Sequence, residues 1–191
     1  MEQSCIRRTT NETDISVQLA PRGAAGAIRT GIGFFDHMLH AFAVHGGFSL
    51  AVEAKGDLFV DCHHTVEDTG IVLGDAFAQM LGGKNGLARF GSAYVPMDEA
   101  LCFCALDLSG RPFLVFDAPM PQAVIGQYDA CMTGEFFRAF SVHAGITLHI
   151  KCLYGENSHH ITEGIFKAVA RALRQAMEQT GEGVLSTKGV L

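Results

Sequence analysis

The chain carries one segment twice, and that limits what it can fold into. Residues 36–50, DHMLHAFAVHGGFSL, lie without gaps over residues 134–148, GEFFRAFSVHAGITL. Two residues are then lost from the second copy, and His63-His64-Thr65-Val66-Glu67 falls over His159-His160-Ile161-Thr162-Glu163. Each copy reads in the order helix, strand, helix. A solenoid needs at least about three repeats to bury a continuous core, so two copies point to duplication of one α/β unit. Each unit is expected to lay two helices on one face of a mostly antiparallel sheet. The expected fold class is therefore α+β, an internally duplicated two-layer unit with a four-stranded sheet in each half. The first repeat is placed at residues 1–90 and the second at 91–191, fused as one compact domain.

Local patterns fill in the unit. Ser4–Thr10 and the alternating Ile15–Leu19 read as an opening strand pair, and Pro21–Gly26 as a break. Ile28–Phe35 looks strand-like. Asp36 is expected to cap a helix that stops at Gly46-Gly47. Phe48–Ala54 alternates, Leu58–Val60 extends again, and Asp61 is a candidate cap for a helix from His63 to Leu81. Strands follow at Ala93–Val95, Ala100–Leu106 and Phe113–Phe116. A helix at Gly134–Val142, a strand at Gly145–Leu153 and a long helix over Ile161–Thr180 complete the second half.

The duplicated HHxxE stretch carries the chemistry. On a helix His63 and Glu67 are four apart and His64 and Glu67 three apart, so each pair shares a face. Adjacent histidines diverge by about 100° around the axis, which suits two ions better than one. Imidazole and carboxylate are ligands for manganese, iron or zinc, and the donor set alone does not choose among them. The bland alternative, a solvated helix start, does not account for the same cluster recurring in register with a longer repeat. The repeat also matches His37 with Glu135, adding both as candidate ligands, and His45 with His143. His45 and His143 sit where a histidine also suits a helix C-terminus. His40 and His149 have no matched partner and read as structural. Arg89, Arg111 and Lys188 lie beside Gly or Pro, as loop cations that are either solvated or anion-binding. On its pattern alone, Glu12 is a surface acid.

Composition narrows the classes. With 48% hydrophobic and 18% charged residues the chain is expected to bury a sizeable core. A net charge of −6 argues against a general nucleic-acid binder. No apolar run approaches the roughly 18 residues of a membrane span, and the first residues, MEQSCIRRTTNETD, lack a signal core. A cytoplasmic protein is expected. None of the six cysteines forms a CxxC pair, so buried reduced thiols are the plain reading. Cys62, directly before His63, is the exception, either a soft ligand or an oxidation-prone thiol.

The blocks RRTTNET, TGIGFFDHML, DCHHTVEDTG, DEAL, DLSGRP, GENSHHITEGIFKAVARALRQA and STKGVL together span nearly the whole chain. In this order they resemble imidazoleglycerol-phosphate dehydratase of histidine biosynthesis. The resemblance implies a hydro-lyase that converts D-erythro-imidazole glycerol phosphate to imidazole acetol phosphate and water through a manganese-bound imidazolate. It implies a fold like ribosomal protein S5 domain 2, two Mn2+ per active site, and 24 copies with active sites at subunit interfaces. By motif match the metal ligands are His37, His63, His64, Glu67, Glu135, His159, His160 and Glu163. Glu12, Glu163 and His45 fall at catalytic positions. Glu12, His37, His45, Arg89, Arg111, Ser186, Thr187 and Lys188 fall at substrate-binding ones, the last five for phosphate. Glu135 departs from the family pattern, standing where many relatives have histidine, and Cys62 stands where aspartate is usual. Two other classes share the donor set: a dinuclear metallohydrolase, and a metal-dependent structural or storage assembly.

Overall fold

Alternating apolar residues build the first sheet in a computed structural model that describes residues 1–181 and 183–186. β1 (Ser4–Thr9) pairs antiparallel with β2 (Thr13–Ala20), whose Ile15, Val17 and Leu19 are fully buried. β3 (Ile28–Arg29) runs parallel to β4 (Ser49–Gly56), and β4 runs antiparallel to β2, giving the order β1-β2-β4-β3. Between β3 and β4 lies α1 (Gly33–Gly46), and after β4 comes α2 (His63–Leu81).

The second half repeats this plan. β5 (Phe90–Met97), β6 (Ala100–Asp107) and β7 (Phe113–Asp117) lead through a hairpin of β8 (Val124–Ile125) and β9 (Tyr128–Asp129) to α3 (Met132–Ala144). β10 (Thr147–Tyr154) and α4 (Ser158–Ala176) follow, and the sheet order is β5-β6-β10-β7, with β7 parallel to β10. The β8–β9 hairpin has no counterpart in the first half.

Helix packing joins the halves. α2 lies along α3 and α1 along α4, so the closest helix partners come from different repeats. Small residues permit the α2–α3 approach: a Cβ on Gly70 would meet the Phe136 carbonyl at 2.6 Å, and one on Gly74 would meet His143 Cβ at 2.6 Å. Within each half the helices meet through aromatic rings, Phe42 on Phe77 at 6.0 Å and Phe136 on Phe166 at 5.2 Å. No helix among the described residues is long and apolar enough to cross a membrane.

Four local expectations change. Helix α1 starts at Gly33, inside the stretch that alternation marks as strand, so Asp36 sits in its first turn rather than at its cap. From there its carboxylate accepts from the Thr30 N–H at 2.7 Å and hydroxyl at 2.6 Å, tying the end of β3 to the helix. Leu58–Val60 forms a turn, not a strand. The cap residue of α2 is Cys62 rather than Asp61, although Asp61 accepts from the His63 N–H at 2.7 Å. The last helix ends at Ala176, because the following chain pairs with the 86–89 segment through Ala88 N–H to the Glu178 carbonyl.

The α2–α3 seam is testable. Gly70→Ala should lower stability by about 1–3 kcal/mol through overpacking, even though alanine is the better helix former by about 1 kcal/mol. A thermal unfolding midpoint at or above the parent's would contradict the close approach.

Candidate active site

Packing of α1 on α4 brings three donors from two repeats together. His37 Nε2 and His159 Nε2 stand 3.4 and 3.2 Å from Glu163 Oε2. One donor atom from each residue lies within 4.8 Å of the others, the one such group of three among the described residues. Phe34 packs edge-on against the His159 ring at 4.8 Å. The Glu163 side chain is only 9% exposed, and its other oxygen takes Lys167 Nζ at 2.6 Å. Burial pushes the Glu163 carboxyl up, but Lys167, His37 and His159 together hold it below the usual range. Two imidazole nitrogens and a carboxylate, half open to solvent, form a donor set that fits a divalent transition ion.

The repeat-related residues are arranged differently. His63 Nε2 lies 3.4 Å from Glu67 Oε2. Glu135 does not join them; its carboxylate takes Arg138 Nε at 3.2 Å. His64 and His160 stand outside the three-donor group, each held at Nδ1 by a carboxylate. Asp57 Oδ2 is 3.0 Å from His64, and Glu99 Oε2 is 2.6 Å from His160. Those bonds raise both imidazoles above their ordinary value. The Glu99 carboxyl is lowered to about 2, first by His160 and then by the Asn157 N–H. A carboxylate only accepts, so in the neutral ring the proton sits on Nδ1 and Nε2 carries the lone pair.

Glu12 occupies the β1–β2 turn, with Oε1 3.8 Å from His64 Nε2. The turn is anchored from beneath by Thr13 Oγ1 on Asp68, which also takes Arg8 at 2.6 Å. Arg89 and Arg111 meet at one carboxylate: Arg89 grips Asp107 through Nε and Nη2 at 2.7 and 3.0 Å, and Arg111 Nη2 lies 3.8 Å from it. Arg89 Nη1 also donates to the Leu185 carbonyl at 2.6 Å, which brings the segment carrying Ser186 to the same place. Thr187 and Lys188 lie outside the described residues.

His45 lines a separate cleft of about 590 Å3 with Tyr94, Arg171 and Arg174. Burial and then the charges of Lys167 and Arg171 lower its pKa. Cys62 is buried, with its sulfur 3.9 Å from Asp129 Oδ2; burial raises its pKa, so it stays a thiol.

Sequence reading missed Asp57, Glu99, Asp107, Arg171 and Arg174. The repeat held a signal for Glu99, which precedes β6 as Glu12 precedes β2. The four-residue ladder Glu163, Lys167, Arg171 held one for Arg171.

Known proteins share this arrangement of elements. The family model described as imidazoleglycerol-phosphate dehydratase matches residues 30–173. An imidazoleglycerol-phosphate dehydratase of Acetivibrio thermocellus is 56% identical over 189 residues, covering 97% of each chain. That of Ruegeria pomeroyi is 54% identical over 196 residues, covering 100% of each. Crystal structures of the enzymes from Staphylococcus aureus and Pyrococcus furiosus both superpose with a TM-score of 0.86. They are 39% and 42% identical, covering 93% and 97% of this chain and 99% and 100% of theirs. The chain belongs to the imidazoleglycerol-phosphate dehydratase family and is a dehydratase of histidine biosynthesis.

Proposed function

We propose that this dehydratase converts D-erythro-imidazole glycerol phosphate to imidazole acetol phosphate and water with two manganese ions per active site, in an assembly of 24 copies. The convergence of His37, His159 and Glu163 carries this reading. These three would hold one ion. By repeat equivalence His63, Glu67 and Glu135 would hold the other, with Glu135 exchanging Arg138 for it. His64 and His160, outside the three-donor group and anchored at Nδ1, would complete ions held by neighbouring copies through Nε2, which would put the active sites at subunit boundaries. Metal binding then contributes to assembly as well as to catalysis.

When bound, manganese supplies Lewis acidity and lowers the pKa of groups attached to it. The remaining work falls to side chains. Elimination of water needs a proton taken from carbon and a proton given to the departing hydroxyl. Glu12 is the candidate for these transfers, because its carboxylate is solvent-accessible and in no hydrogen bond among the described residues. Glu163 is better suited as a ligand, since both of its oxygens are engaged. Arg89 and Arg111, with Ser186, Thr187 and Lys188, would bind the phosphate and fix the carbon chain against Glu12, where orientation lowers the barrier. His45 would close the substrate pocket.

Incubation of the manganese-loaded protein with imidazole glycerol phosphate should yield the ketone. Inorganic phosphate would favour a metallohydrolase, and no turnover a storage assembly. Glu12→Gln should retain metal and assembly while losing about 10²–10⁴-fold in turnover; a rate near the parent's would remove Glu12 from the chemistry. His64→Ala should lower metal content and shrink the particle on size exclusion, and a fully loaded particle of parent size would take His64 off the ligand list. A proton and an ion compete for the same imidazole lone pair, and metal-free His64 and His160 keep their protons above the ordinary 6.5. Manganese affinity should therefore climb with pH above that value and level off once both rings are neutral. A flat affinity profile between about pH 6 and 8 would contradict this.

A further inference from the structure

Duplication gives Glu12 a counterpart. It stands immediately before β2, and Glu99 immediately before β6. The two carboxylates are employed differently. Glu99 has both oxygens engaged: Oε2 with His160 Nδ1 at 2.6 Å, and Oε1 with the N–H groups of Asn157 at 2.8 Å and Glu156 at 3.2 Å. Glu12 reaches its imidazole, His64, only at 3.8 Å, and on the other nitrogen.

His64 nevertheless has a carboxylate on Nδ1. It comes from Asp57, at the start of the β4–α2 connection, at 3.0 and 3.2 Å. The bulge between Cys152 and Tyr154 shifts β10 by one residue, so Gly155 takes the place of Gly56 and Glu156 the place of Asp57. In the shortened β10–α4 connection Glu156 meets Glu99 through its N–H, and among the described residues its carboxylate makes no hydrogen bond to His160. The neighbouring Asp98 offers no substitute, since it reaches His160 only at Nε2 and at 3.6 Å.

We infer that Asp57 and Glu99 are positioning residues that hold the Nε2 atoms of His64 and His160 ready for metal, and that Asp57 thereby leaves Glu12 unengaged. In the second half, where Glu156 in the place of Asp57 makes no hydrogen bond to the imidazole among the described residues, the hairpin carboxylate of Glu99 takes over the orienting task. A carboxylate on one ring nitrogen fixes the tautomer and the ring plane and raises the basicity of the other nitrogen. The same duplicated turn therefore supplies a free acid in one half and an imidazole anchor in the other. This inference rests on the metal reading above.

The test compares the paired substitutions Glu12→Ala and Glu99→Ala in the full-length protein, reading the Mn2+ dissociation constant by chelator competition and turnover against Mn2+ concentration. Glu99→Ala should weaken Mn2+ binding by about 10–100-fold, with turnover recovering as Mn2+ is raised. Glu12→Ala should bind Mn2+ like the parent and stay slow at every Mn2+ concentration. Asp57→Ala should weaken binding as Glu99→Ala does. Asp57→Asn, whose carbonyl still accepts from Nδ1–H, should restore it to within about threefold of the parent, which loss of fold alone would not allow. Parent-like Mn2+ binding by Glu99→Ala, or equal losses in Glu12→Ala and Glu99→Ala, would overturn the inference while leaving the metal reading standing. A parent protein that bound no Mn2+ would overturn both.

Discussion

The site depends on the seam between the two halves. His37 comes from the first repeat, and His159 and Glu163 come from the second, so their convergence exists only because α1 packs on α4. The companion contact, α2 on α3, is held at backbone distance by Gly70 and Gly74. Each half alone would expose an apolar helical layer. Rings along the seam, such as Phe42 against Phe140 at 6.3 Å and Phe35 against Phe136 at 5.4 Å, fill the space between repeats. Cohesion of the core and assembly of the donor group are one constraint seen from two sides.

That constraint also accounts for the electrostatics. A nearly buried carboxylate is costly unless it is paired. Glu163 meets the cost with Lys167 four residues on along α4 and with two imidazoles, one from each half. Removal of α1 would take away His37 and open Glu163 to water, so the charge state of the group and the packing of the seam change together. The candidate phosphate group relies on a different device. Asp107, at the end of β6, orients Arg89 in a two-point grip with Arg111 nearby, and Arg89 in turn donates to the Leu185 carbonyl.

Much of this was legible in the sequence, and the parts that were not share a physical cause. The ungapped repeat made the duplicated fold readable, because one unit seen twice averages out the noise of local propensity. Strand alternation placed β2, β4 and β6, and α2 runs over the expected residues, His63 to Leu81. Asp36 was misplaced because a first-turn carboxylate that reaches back to Thr30 and a true cap look alike in sequence. Sequence spacing could not pair Asp57 with His64 or Glu99 with His160. The first contact crosses a loop of unpredictable shape, and the second joins residues 61 apart. Arg171 and Arg174 belong to no motif in the sequence, and the packing of α1 is what places them in a cleft with His45.

Duplication first yields two equal halves, and a site with distinct chemical roles requires them to become unequal. The departures seen here are small and local. Glu135 stands where the first repeat has His37, and it has acquired Arg138 as a partner where the first repeat has His40. The connection before α4 has three residues against six before α2, and Glu156 stands in the place of Asp57. None of these changes touches the sheet order or the helix seam, which are the same in both halves. Chemistry could diverge because the residues that carry it lie on turns and helix starts, where a side chain or a loop length changes without repacking the core.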